Sequence, residues 1–297
     1  MMKLTASAMA GAPAHRQYIF TVTAGRSGQA SLTNLLRQHV PGCYPAFEEP
    51  RINRHLPGFL GDFERNFRRR FVETHELLGR GRVLAAFDRG DDVYLEKIAR
   101  RRIRMAERIL ARHGAHIYID VSKYFARGLH RGFARILPSF ALIRLVRDPL
   151  LNMRSFLNRR KNFRLDNNLP DRPSNILRLD SADFAPGEYY LWAWCEMYLR
   201  FDQLVEDCNV ARSVEIRTDH LLDPERINAA FDRLGLDHSP VIARPPANTN
   251  ISQGLSGTAV SRQDIDLFER FTARLPADMT RRIAYFSDYD PARLHAS

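Results

Sequence analysis

The sequence predicts a three-layer α/β fold, in which a central, mainly parallel β-sheet has helices on both faces and a helical insertion follows the second strand. Three observations predict it. Short apolar runs rich in β-branched and aromatic residues, among them Tyr18 to Val22, His116 to Ser122 and Phe140 to Val146, suit buried strands. These runs alternate with stretches of helical spacing, the pattern of a parallel sheet covered by helices. From about 51 to 112 the strand pattern stops and densely charged helical patterns replace it.

The first strand breaks into Thr23-Ala24-Gly25-Arg26-Ser27-Gly28 and then into a helix, with apolar residues at 32, 35, 36 and 40 and a seryl start at Ser31. Two glycines let backbone N–H groups approach an anion, and the helix presents its N-terminus to the same charge, so the loop is expected to bind phosphate. Pro41-Gly42 ends the helix. A short extended segment, Cys43 to Phe47, leads to Glu48-Glu49-Pro50, which places two adjacent carboxylates at the edge where open α/β sheets bind ligands. In the insertion, Arg65, Arg68, Arg69 and Arg70 form either a solvated face or part of a lid that recruits an anionic substrate. Strands at 116–122 and 140–146 follow, the second closing on Arg147-Asp148-Pro149 and a helix to about Arg160. Gly187 to Asp207 is a helical, aromatic stretch, Val214 to Arg217 a last strand, and Asp223 to Leu234 a helix ended by Gly235.

Composition narrows the function classes. The chain has 297 residues, 44% of them hydrophobic, a net charge of +11 and a pI near 10.0. Its basic groups are almost all arginine, with lysine only at Lys3, Lys97, Lys123 and Lys161. Arginine's planar fork suits phosphate and sulfate, although genome composition also produces such a bias. No basic stripe with interleaved aromatics marks a nucleic-acid binder. Cys43, Cys195 and Cys208 show no metal-ligand or disulfide spacing, and no metal is expected. No apolar run is long enough for a membrane span, and residues 1–15 are too weakly apolar for a signal peptide. A cytoplasmic protein is the expectation, with one α/β domain over 16–297 and a flexible segment at 1–15.

A nucleotide kinase would carry lysine and a hydroxyl residue directly after the second glycine of its loop; Gln29 and Ala30 stand there instead. A kinase-like P-loop protein remains the alternative enzyme class, and a non-catalytic anion or nucleic-acid binder the alternative outside enzymes. The basic group precedes the Ser-Gly pair as Arg26. Gly25-Arg26-Ser27-Gly28-Gln29-Ala30-Ser31-Leu32 resembles the 5′-phosphosulfate loop of sulfotransferases that use 3′-phosphoadenosine 5′-phosphosulfate (PAPS). Arg144-Leu145-Val146-Arg147-Asp148-Pro149, with Ser155 eight positions after Arg147, is similar to that family's 3′-phosphate motif.

The resemblance implies a P-loop fold of the bacterial or carbohydrate-type sulfotransferases, with PAPS as co-substrate and a hydroxyl acceptor of the carbohydrate or glycoconjugate class. It implies donor contacts from Arg26, Ser27, Gly28, Gln29, Ala30, Ser31, Arg147 and Ser155. Glu49 would be the general base, with Glu48 in reserve, and Arg26 would neutralise charge on the leaving phosphate. Lys123 is a further candidate for sulfate contact. Trp192 and Trp194 either stack on a sugar or belong to the core. The late polar loop, 248–258, lies where the family closes over the 3′-phosphate but lacks its basic signature.

Overall fold

Strand β1 (Gln17–Val22) runs through the middle of a five-stranded sheet of order β2-β3-β1-β4-β5, with β2 at Cys43–Phe47, β3 at Ile117–Val121, β4 at Phe140–Val146 and β5 at Val210–Arg217. The computed structural model describes residues 16–50, 56–71, 73–159, 163, 167–242 and 259–294. Every pairing is parallel, so all five strands end at one edge. The register sets Gln17 beside Ile117 and Ile19 beside Ala141. Because β2 and β3 lie on one side of β1, and β4 and β5 on the other, the topology switches beside β1, where such sheets form a ligand crevice.

Alternation along the strands makes two cores. On one face Ile19, Ile119, Ile143 and Ile216 pack against α1 (Gln29–His39), through Leu32, Leu35 and Leu36, and against a helix at Pro224–Leu234, through Ile227 and Phe231. On the other, Tyr18, Phe20, Tyr118 and Leu142 meet a larger aromatic core. Phe20 stacks on Phe125 with ring centroids 4.1 Å apart. This sheet, apolar on both faces, is the buried kind that parallel strands require.

Between β2 and β3 lie α2 (Gly58–Phe71), α3 (Glu73–Leu77), α4 (Arg82–Arg89) and α5 (Asp92–His113). Asp91 caps α5 by accepting from the Tyr94 amide, and Gly114 ends it in the left-handed region. Then come α6 (Leu129–Ile136) before β4, α7 (Pro149–Leu157), α8 (Pro186–Asp207), α9 (Pro224–Leu234), α10 (Arg262–Thr272) and α11 (Ala277–Arg282). The buried aromatic helix expected over 187–207 is α8. Two features differ from the sequence reading. Strand β5 begins at Val210 rather than Val214, because Ala211, Arg212 and Ser213 are exposed and give no apolar signal. Helix α10, not singled out in the sequence, buries Ile265, Phe268 and Phe271 in the aromatic core. The segment 1–15 lies outside the described residues.

Candidate functional site

The loop after β1 is held through its carbonyls, and the Gly25 amide donates to Thr23 Oγ1 at 3.2 Å. The Asn152 side-chain amide donates to the Gly25 carbonyl at 2.6 Å and to Ser27 Oγ at 3.3 Å. The Thr218 hydroxyl lies 3.1 Å from both the Ser27 and Val146 carbonyls, and the Arg127 guanidinium donates to the Ala24 carbonyl at 3.2 Å. The chain then enters α1 at Gly28, an N-cap residue with φ 89° and no side chain to satisfy the first helical amides. Glycine is required twice. Gly25 has φ +95°, and a Cβ there would sit 2.8 Å from Lys123 Cδ; at Gly28 it would collide with Leu221. Gln29, Ala30 and Ser31 form the first turn of α1.

The same geometry explains the Arg-Asp-Pro turn. Strand β4 stops at Val146, and Asp148 caps α7 by accepting from the Leu151 amide at 3.0 Å, with Pro149 in the first turn. The Trp194 indole donates to the Arg147 carbonyl at 2.8 Å and fixes where the arginine leaves the strand. Ser155, two turns along α7, comes back to the loop. Arg26 Nε donates to Ser155 Oγ at 3.1 Å, and Arg147 Nη1 lies 3.4 Å from the Arg26 carbonyl. Arg26 thus meets Arg147 and Ser155, more than a hundred residues further along the sequence, beside the topological switch.

Their electrostatics are unbalanced. Burial, then the guanidiniums of Arg159 and Arg147, push Arg26 down to about 10, while Glu48 pulls the other way. Burial also lowers Arg147, with Asp148 opposing it. A site that gathers cations at a cost to their own ionisation favours an anion that can relieve it. Arg26 is itself a non-glycine residue at positive φ, 59°, a backbone strain found at functional loops.

The acidic loop behaves as two different residues. The Tyr44 hydroxyl lies 2.9 Å and 3.1 Å from the two carboxylate oxygens of Glu49. The Glu49 backbone carbonyl accepts from Arg102, whose guanidinium also pairs at 3.1 Å with Asp120 at the end of β3; both partners of that pair are buried. Glu48, at φ 49°, instead couples by charge to Arg26 and Arg127. Burial pushes Arg127 down to about 10, an effect that Arg80 reinforces and Glu48 opposes.

Of the remaining candidates, Lys123 is buried under the loop, its ammonium 5.6 Å from the Phe156 ring and 5.2 Å from that of Tyr124. Trp192 and Trp194 are both core residues, 2% and 4% exposed, and Trp192 donates to the Leu177 carbonyl at 2.8 Å. Neither presents a face to a sugar. Among the described residues no group of three or more His, Cys, Asp or Glu side chains could hold a metal ion. The loop 248–258 and the side chains of Arg65, Arg68, Arg69 and Arg70 lie outside the described residues.

The sequence reading missed Asn152, Thr218, Arg127, Arg102 and Arg159. Asn152 had a signal: it is a lone amide in the apolar run Pro149-Leu150-Leu151-Asn152-Met153, three residues before Ser155 and hence on the same helix face. The others act through tertiary contacts that no local pattern announces.

No protein-family model matches the sequence, and no curated protein matches it. Among solved structures the chain is similar to the sulfotransferase domain from the Synechococcus PCC 7002 olefin synthase, at 18% identity over 89% of this chain and 98% of that one, with a TM-score of 0.47. What the chain does has to be read from its own residues.

Proposed function

We propose that the chain is a sulfotransferase, moving a sulfuryl group from PAPS to a hydroxyl acceptor of the carbohydrate or glycoconjugate class. The observation that supports this most is the meeting of Arg26, Arg147 and Ser155 beside the glycine loop and the start of α1, with more positive charge than the site itself balances. A donor with a 5′-phosphosulfate and a 3′-phosphate supplies two anionic ends for such a site. The loop amides and Arg26 would hold the first, and Arg147 with Ser155 the second.

In the transfer the acceptor oxygen forms a bond to sulfur as the bond from sulfur to the 5′-phosphate oxygen breaks. The leaving phosphate keeps that electron pair, and the acceptor proton passes to a carboxylate. Arg26 and the amides of the loop stabilise the charge that grows on the leaving oxygen. Glu49 is the base in this account, because the Tyr44 hydroxyl holds its carboxylate in one orientation and Arg102 fixes its backbone. Glu48 is a counter-charge that tempers Arg26 and Arg127.

Incubation with labelled PAPS and a panel of hydroxyl acceptors tests the reading. Transfer of label to an acceptor, lost in Glu49→Gln while 3′-phosphoadenosine 5′-phosphate still binds, is the expected result. Absence of both transfer and nucleotide binding would overturn it.

A further inference from the structure

Helix α2 does not behave like the other long helices. Those bury an apolar stripe against the sheet or against one another, whereas α2 packs chiefly on the short α3 that follows it. Its apolar residues face outward. Phe59 is 81% exposed and Phe63 71%, with Leu60 at 46% and Leu56, just before the helix, at 48%. Positions 56, 59, 60 and 63 follow the i, i+3, i+4, i+7 spacing of one helix face. The C-terminal half of the same helix contains Arg65, Arg68, Arg69 and Arg70.

We infer that α2 is a peripheral membrane anchor that lies flat in the interface of an anionic bilayer, with Phe59, Leu60 and Phe63 in the acyl boundary. Phenylalanine and leucine on one face with clustered arginine on a single helix is the composition of interfacial amphipathic helices, which combine apolar burial with attraction to anionic head groups. The charge also selects among occupants. Two copies of a chain of this charge repel one another, whereas an anionic bilayer attracts each of them. The chain's net charge of +11 acts in the same direction. No helix among the described residues is long and apolar enough to cross a membrane, so this attachment would be to one leaflet.

Anchoring has a consequence for the candidate site. Residues 51–57 join the Glu48-Glu49 loop to α2 and reach at most ~25 Å even when extended. The acidic loop would therefore stay near the head groups, open to a hydroxyl carried on a lipid. That corollary rests on the transferase reading; the anchoring itself does not.

Flotation of the full chain with vesicles separates the two ideas. With phosphatidylglycerol mixed into phosphatidylcholine the protein should float with the vesicles. It should stay behind with phosphatidylcholine alone, and added salt should release it. Phe59→Glu with Phe63→Glu should weaken the association by about tenfold or more while leaving the circular dichroism spectrum and nucleotide binding unchanged. Replacing Arg68, Arg69 and Arg70 by Gln should remove the preference for anionic lipid. The inference is overturned by absence of flotation with anionic vesicles, by equal flotation with neutral ones, or by a double Phe variant that floats as the parent does. A parent dimer that this variant converts to monomers would assign the face to a second copy instead, and also overturn it.

Discussion

The loop after β1 and helix α2 use their side chains in opposite ways. Around the loop, polar side chains hold the backbone: the fully buried Asn152 donates to Gly25 and Ser27, the half-buried Thr218 to Ser27, and the buried Arg127 to Ala24. Along α2, large apolar groups are exposed and the fold makes little use of them. Buried hydrogen-bonding groups are costly to leave unpaired, so these bonds hold the loop backbone in one geometry. An exposed apolar face contributes little to folding and is available for something outside the chain. The comparison separates a site specified by the protein's interior from a surface specified by its surroundings.

Substitutions can break this contrast. The largest effect is expected from Glu49→Gln, which removes the proposed base and should lower turnover by about a hundredfold or more, with nucleotide affinity unchanged in calorimetry; unaltered turnover would remove Glu49 from that role. Next, Arg147→Ala should weaken binding of 3′-phosphoadenosine 5′-phosphate by roughly 10- to 100-fold, the loss of charge-assisted hydrogen bonds. Asn152→Leu removes the Asn152 amide from the buried Gly25 carbonyl, leaving it only the Ser27 hydroxyl, and should cost about 2 kcal/mol, read as a fall of about 5 °C in Tm. Nucleotide affinity should fall with it if the loop geometry is what that amide protects.

Smaller effects sharpen the contrast through their sign. Glu48→Gln removes the negative charge that balances Arg26 and should tighten nucleotide binding, by about fivefold, where a catalytic base would leave affinity alone and lower turnover. For the same reason, bound sulfate or nucleotide should raise Tm, since an anion relieves the repulsion among Arg26, Arg147 and Arg159. Phe59→Glu should change folding stability by less than about 0.5 kcal/mol, the range of surface substitutions. A large loss of Tm would mean that the α2 face is part of the core after all.

Much of the fold was legible because the strands are buried on both faces, which leaves mainly apolar runs such as Phe140 to Val146, interrupted only by Arg144, between helical stretches. Where burial is partial the signal fades, as at the exposed start of β5. The loop glycines and the spacing of Arg147 and Ser155 are local, so candidate residues for a phosphate site could be named from the sequence. Their meeting could not, since it depends on β1 and β4 being neighbours in the sheet. The clasp of Asn152, Thr218 and Arg127 was hidden for a related reason. Its partners are backbone carbonyls, which have no residue type to recognise. The division between Glu48 and Glu49 is also tertiary, set by Tyr44 and Arg102 on one side and by Arg26 and Arg127 on the other.

The central claim is that Arg147 and Ser155 receive the 3′-phosphate of a nucleotide whose 5′ end lies on the loop. Calorimetric titration of the parent and of Arg147→Ala, each with 3′-phosphoadenosine 5′-phosphate and with adenosine 5′-monophosphate, measures it directly. The account predicts that the parent prefers the 3′-phosphorylated nucleotide by about tenfold or more and that Arg147→Ala loses this preference while still binding the monophosphate. A preference that survives in Arg147→Ala, or a parent that binds both nucleotides equally, would contradict it.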